Sequence, residues 1–353
     1  MAESVTELLE RHRAFWRREK VDRPLVAVKP YAPLAPKYIP LRNVEWGSED
    51  LCLDPTMFDP RTIANAEQWH NKPGQLLLGD SFSLRQPYVR IPWVEGILGC
   101  PIWADRESGS IWSKSYLSNP GTGGIGFNRE HPWLRLLLEL TRLLVEEADG
   151  SYLVAQTLMR GPIDMVRAVL GDEEMCLAIY DDPDALRQLL SITTDVFIEV
   201  AKAQQAIVPR FHGGYASYYG IWAPGTVVRT QCDMSSVLSA STYAELVIPF
   251  EERICRQFDH SMIHLHSGYL HTVDALLEAE FPQVLQIALD TGSTPVTTRD
   301  LVPTCRKILE RKPLIIEGYM TRSDFEYLLE SLPPHGLYII AMLDPAELLP
   351  SER

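Results

Sequence analysis

The sequence contains no Cys-x-x-Cys pair. Its six cysteines, Cys52, Cys100, Cys176, Cys232, Cys255 and Cys305, are scattered along 353 residues. In a chain this long, that spacing predicts reduced thiols packed as small core residues and argues against a disulfide frame. No run approaches the roughly 20 apolar residues that span a bilayer. The stretch from Met1 to Glu10 reads as a capped amphipathic helix, unlike the charged and then apolar start of a signal peptide. No Lys/Arg block offsets the formal charge of −14, so the average surface repels phosphate backbones and anionic lipid. Nucleic acid and membrane are therefore not expected partners, and the expected location is cytoplasmic. A GxGxxG turn is also missing, which counts against a dinucleotide-binding open sheet. The glycine-rich stretch Asn119–Gly126 lacks the Gly-Lys-Ser/Thr ending of a phosphate-binding loop and reads as an ordinary loop.

What is present is an average globular composition, with 46% hydrophobic and 23% charged residues, enough apolar content to bury a large core. From Ser4 to about Arg18, Val5, Leu8, Leu9 and Phe15 recur at helical spacing. The proline-rich stretch from Val21 to Arg61 has little periodicity and reads as an irregular wrap. From Gln75 onward, short apolar runs alternate with helical segments. The runs are Leu76–Asp80, Tyr152–Gln156, Val227–Gln231, Met262–His266, Val284–Asp290, Pro313–Glu317 and Gly336–Ala341. The helices expected between them cover Pro132–Ala148, Pro183–Gln205, Ser241–Asp259, Thr272–Glu280, Leu301–Arg311 and Arg322–Ser331. Seven such units predict a TIM-type (β/α)8 barrel over residues 75–349, with a helical and irregular N-terminal extension over 1–74, as a single domain. An open doubly wound sheet is the alternative.

In such a barrel the site forms at the carboxyl ends of the strands. The polar residues closing the runs are Asp80, Gln156, Arg160, Gln231, Asp233, His264, His266, Asp290 and Glu317. His264 and His266 stand two apart on one strand, so both side chains share a face. Two adjacent imidazoles suit a divalent metal such as zinc, with Asp290 and Glu317 as further ligands. Alternatively, one histidine is a hydrogen-bonded barrel residue and the other touches substrate. Asp80 and Asp233 are candidates for acid or base work, or for capping a loop. Arg160, before Gly161-Pro162, is suited to a substrate carboxylate or to a structural ion pair. Tyr218, Tyr219 and Trp222 lie in a glycine-rich loop that can roof a pocket or line a subunit interface.

Several segments, in their order, resemble the uroporphyrinogen decarboxylase superfamily. They are Leu78-Gly79-Asp80, Gly161-Pro162-Ile163-Asp164 with Val169-Leu170-Gly171 and Asp182-Pro183, Asp233 to Ser239, Tyr243 to Phe250, His264 to Gly268, and Gln286 to Asp290. The resemblance covers most of the chain from about Leu76. It implies a barrel, and the strand-end and loop positions make Asp80, Asp233, His264 and His266 the expected catalytic residues and Arg160, Gln231, Tyr219 and Trp222 the expected substrate contacts. The arginine-rich N-terminal segment of the decarboxylases is missing, and Ala168 stands where their tyrosine is expected. The related corrinoid and coenzyme-thiol methyltransferases carry a His-x-Cys zinc pair where this chain has His264-Leu265-His266, and no cysteine stands near Met342. The resemblance thus implies the poorly characterised branch. It implies methyl transfer or demethylation linked to a corrinoid or corrinoid protein, with zinc as the implied metal and a homodimer as the implied assembly. A metal-free lyase acting on a small carboxylated substrate, and a non-catalytic ligand-binding barrel, are the alternatives.

Overall fold

The computed structural model describes residues 4–31, 41, 50–65, 69–70, 78–87, 90–105, 108–121, 124–290 and 296–348. Seven strands form its main sheet: β1 (Leu25–Pro30), β2 (Leu78–Gly79), β3 (Val227–Gln231), β4 (His260–His266), β5 (Val284–Leu289), β6 (Leu314–Tyr319) and β7 (Leu337–Leu343). Their order across the sheet is β3-β4-β5-β6-β7-β1-β2. The first six in that order run parallel, and β2 is antiparallel to β1. Among the described residues this sheet does not close into the expected eight-stranded ring. Two short parallel strands, Leu84–Arg85 and Leu153–Val154, belong to a separate small sheet. The amide of Gly161 donates to the carbonyl of Gln231 at the free edge of β3, at 2.8 Å.

The runs expected at 227–231, 262–266, 284–290, 313–317 and 336–341 are strands. Residues 76 and 77 of the run at Leu76–Asp80 lie outside the described residues, as do 122 and 123 of the glycine-rich stretch. The stretch read as an irregular wrap contributes β1, a fully parallel strand beside β7. Leu25, Val26, Ala27 and Val28 are apolar on both faces, but with Pro24 before them and Pro30 at their end the run is too short to show a period.

Alternation along the strands divides the sheet into two surfaces. Val28, Val228, Ile263, Leu265, Leu285, Ile287, Ile316 and Ile339 point to the main core. There they meet residues of the helices α2 (Pro132–Glu147), α3 (Pro162–Leu170), α4 (Pro183–Gln205), α5 (Ile248–Cys255), α6 (Val273–Glu278), α7 (Thr298–Arg311) and α8 (Arg322–Ser331). The other surface starts apolar: Leu25, Ala27, Val227, Met262, Val284, Ile315, Tyr338 and Ile340 pack with Tyr219, Ile221 and Ala223. Phe15 of the N-terminal helix α1 (Val5–Arg17) closes this layer. Further toward the strands' carboxyl ends the same surface turns polar, presenting Lys29, Arg229, Gln231, His264, His266, Gln286 and Glu317.

The N-terminal helix is integral to this arrangement. Ser4 and Glu7 form a capping box. Trp16 Nε1 donates to the Trp222 carbonyl at 2.8 Å, and Arg18 donates to the carbonyls of Leu309 and, at 3.0 Å, Arg311. Burying Phe15 stabilises this closure by about 1.5–3 kcal/mol.

Candidate functional site

Strand register brings four polar residues together. Gln231 lies opposite His264, and His264 opposite Gln286, across the β3-β4-β5 seam. His266 follows two residues on, so the two imidazoles meet edge to face with centroids 4.7 Å apart. Their surroundings drive them to opposite charge states.

His264 is held from behind by a directed chain. Arg229 Nε donates to Tyr219 Oη at 3.0 Å, and Tyr219 Oη donates to Gln286 Oε1 at 2.7 Å. The His264 Nδ1 also binds Gln286 Oε1. The carbonyl oxygen accepts both, so Nδ1 carries the proton and Nε2 is left as the lone-pair nitrogen. Burial, with the nearby Arg229 cation, lowers the pKa of His264 to about 3. His264 is thus a neutral base or acceptor throughout the physiological range.

His266 is the reverse. Its Nδ1 is 2.8 Å from Asp290 Oδ1, and its Nε2 is 3.5 Å from Asp233 Oδ1. Asp233 first, and then Asp290, raise its pKa to about 9 against the effect of burial, so it is an imidazolium at neutral pH. The Nδ1 proton is committed to Asp290. The gap to Asp233 is longer than a normal N–H···O bond, so the Nε2 proton remains open to a ligand.

Asp233 is fixed on both sides. Its backbone amide and that of Met234 donate to the buried carboxylate of Asp164, each at 2.9 Å, while Gln231 Nε2 contacts its oxygens at 3.1 and 3.2 Å. Burial pushes Asp233 up, but the His266 imidazolium and the Arg160 guanidinium outweigh it and hold the carboxyl below its ordinary value. Asp164 moves the other way, raised by burial and by the charge of Asp233. Asp164 was not among the residues picked from the sequence. Its signal was the Gly161-Pro162-Ile163-Asp164 segment, read there only as a motif; Pro162 starts α3, and the first turn of that helix carries Asp164 beneath the Asp233 loop.

The predicted residues do not all gather here. Asp80 lies at the opposite end of the sheet, level with Val26. Arg11 and Arg23 both bind its carboxylate, Val26 N donates to it at 2.9 Å, and His12 Nε2 contacts its carbonyl at 2.6 Å. It fastens α1 to β1. Trp222 likewise stands apart: fully buried, with Nε1 on the Phe211 carbonyl and its amide on His12, it neither roofs the site nor offers an interface. Tyr219 is in the site, but through its hydroxyl from below. It holds a left-handed backbone with φ of 73°, kept in place by a 3.0 Å bond from Tyr338 Oη to its carbonyl. Glu317 pairs with Lys29 at 3.5 Å, and burial raises its pKa against the pull of Lys29 and Arg229. Arg160 lines a cavity with Gln231 and Asp233 and pairs with the buried Glu95 at 3.4 Å.

As placed, these groups do not form a zinc donor set. Glu317 pairs with Lys29. Among the described residues, no group of three His, Cys, Asp or Glu side chains stands close enough to share a metal ion. No helix among them is long and apolar enough to cross a membrane.

No family model and no curated protein matches the chain. Among solved structures it is similar to a methyltransferase from Methanosarcina mazei, with a TM-score of 0.61 and 13% identity over 97% of this chain and 94% of that one. That likeness establishes a shared mixed α/β fold.

Proposed function

We propose that this chain is a methyl-transfer enzyme of the uroporphyrinogen decarboxylase-like type, with His266 as the acid that releases the demethylated product. The observation that carries this is the pairing of an imidazolium with an open Nε2 proton and a neutral imidazole 4.7 Å away. The fold shared with a methyltransferase supports it. Breaking a methyl–oxygen bond leaves its electron pair on the oxygen, and an alkoxide departs only if it takes a proton. His266 Nε2 supplies that proton, while the charges of Asp233 and Asp290 keep the ring protonated until the oxygen arrives. The methyl group passes to a nucleophilic acceptor, a reduced corrinoid carried by a partner protein in the reading the sequence favours. His264, held by Gln286 and Tyr219, orients the donor through its Nε2 lone pair. The resting acid is restored by a proton from solvent. No metal enters these steps.

The test is transfer from O-methyl and N-methyl donors to a reduced corrinoid, followed by the change in its visible spectrum, with the metal content of the same preparation measured alongside. Transfer that His266→Gln abolishes supports the reading. The absence of transfer across the donor panel overturns it. Release of carbon dioxide from small acids would then favour the metal-free lyase. About one zinc per chain, lost in His264→Ala, would replace the proton-donor role of His266 with a metal-centred one.

A further inference from the structure

Beside Asp233 lies a cavity of about 160 Å³ whose wall carries two guanidinium groups, Arg90 and Arg160. Their situations differ. Arg160 is neutralised by the buried Glu95 at 3.4 Å, and Asp233 is offset by His266. Arg90 has no counter-ion among the described residues, and its Nη1 is buried without a hydrogen-bond partner. A half-buried guanidinium with no counter-ion draws an anion, and the cavity that Arg90 lines is where one reaches it. The rest of the wall includes Ile91, Pro92 and Met159, which suit a short alkyl segment.

Resting on the methyl-transfer reading, we propose that this cavity is a carboxylate subsite. Arg90 provides the main charge, Arg160 the second, and the substrate is a short methylated carboxylic acid. The small volume of the cavity suits a short acid and not a long one. Asp233 lies on the same wall as the arginines and 3.5 Å from His266 Nε2, so an acid anchored on Arg90 carries its methyl-bearing atom toward the imidazolium. The like charge of Asp233 repels a carboxylate placed the wrong way round, which fixes the direction of binding.

The test is calorimetric binding of acetate, propionate and methoxyacetate, each beside its neutral amide, to the full chain and to Arg90→Gln, Arg90→Lys and His266→Gln. The acids bind and the amides do not. Arg90→Gln weakens the acids tenfold or more, Arg90→Lys recovers part of the loss, and His266→Gln, which leaves Asp233 unopposed, weakens them less than Arg90→Gln does. Equal binding of acids and amides, no binding of either, or an acid affinity indifferent to Arg90→Gln overturns the subsite. The Arg90→Lys recovery separates a lost charge from a disturbed fold. Arg90-dependent acid binding without any methyl transfer would leave the subsite standing and sink the transfer reading. Transfer from neutral donors alone would do the converse.

Discussion

His264 and His266 are the same residue type two positions apart, and their neighbours give them opposite roles. A buried imidazole facing an amide and an arginine stays neutral, while one facing two carboxylates stays charged. The acid role of His266 therefore has a pH signature. Its active form is the protonated one, so the rate should hold through neutrality and fall as pH rises past about 9. His266→Gln should lower kcat by about 10²–10⁴-fold and remove that alkaline limb; a pH–rate profile of both proteins checks it. Asp80 predicts the contrary pattern. Its carboxylate is buried between Arg11 and Arg23 away from the imidazoles, so Asp80→Asn should cost roughly 3 kcal/mol of stability and leave kcat unchanged in the protein that folds. Urea unfolding beside a turnover assay separates the two, and a kcat loss without a stability loss would return Asp80 to the site. The spacing of His264 and His266 was enough to place them on one face. Asp80 closes a β-run just as Asp233 does, and only the partners supplied by α1, out of reach of local pattern, tell the two apart.

Elements set the precision of the site. The β3 edge is held by the amide of Gly161 on the Gln231 carbonyl, and the start of α3 sits so close that a Cβ on Gly161 would lie 2.2 Å from Glu251 Oε1 and 2.4 Å from that carbonyl. Gly161→Ala must push α3 and β3 apart. It should destabilise the protein by about 1–3 kcal/mol and shift Gln231, the residue that contacts Asp233. The expected reading is a lowered thermal midpoint with a raised KM; an unchanged KM would show that the strand edge absorbs the shift without moving Gln231. At this scale the sequence spoke unevenly. Long apolar runs such as Leu337–Leu343 announce buried strands, and α4 and α8 lie where their apolar periodicity and first-turn residues place them. The segment Leu25–Pro30 is too short to show a period, and its strand character comes from pairing with β7 across more than three hundred residues. The closed eight-stranded ring was an inference from the number of runs. Leu153–Val154, a two-residue strand, pairs with Leu84–Arg85 instead of joining the main sheet.

Across the whole molecule, burial of titratable groups ties stability to pH in a direction that can be worked out. Glu251, in α5 behind the sheet, is fully buried. Burial raises its pKa to about 8 against the pull of the Thr230 hydroxyl. His266 is raised to about 9. A group whose pKa rises on folding contributes stability that is complete below its unfolded pKa and lost as pH climbs through the folded one. For Glu251 that window runs from about 4.3 to about 8, and for His266 from about 6.5 to about 9. His12 and His264 act oppositely: both are lowered to about 3, so they favour the fold above about 6.5 and withdraw that support on acidification. The native state is thus pressed from both sides, and its stability should decline steadily from pH 7 to pH 9. Glu251→Gln keeps the shape of the neutral acid and cannot ionise. It should match the parent near pH 4, gain on it steadily from about pH 4.3 to about pH 8, and hold that advantage above pH 8, leaving the smaller slope that belongs to His266. Urea midpoints measured across that range decide it: a variant whose curve runs parallel to the parent's would place the Glu251 carboxyl in contact with water and remove it from the account of the alkaline limit.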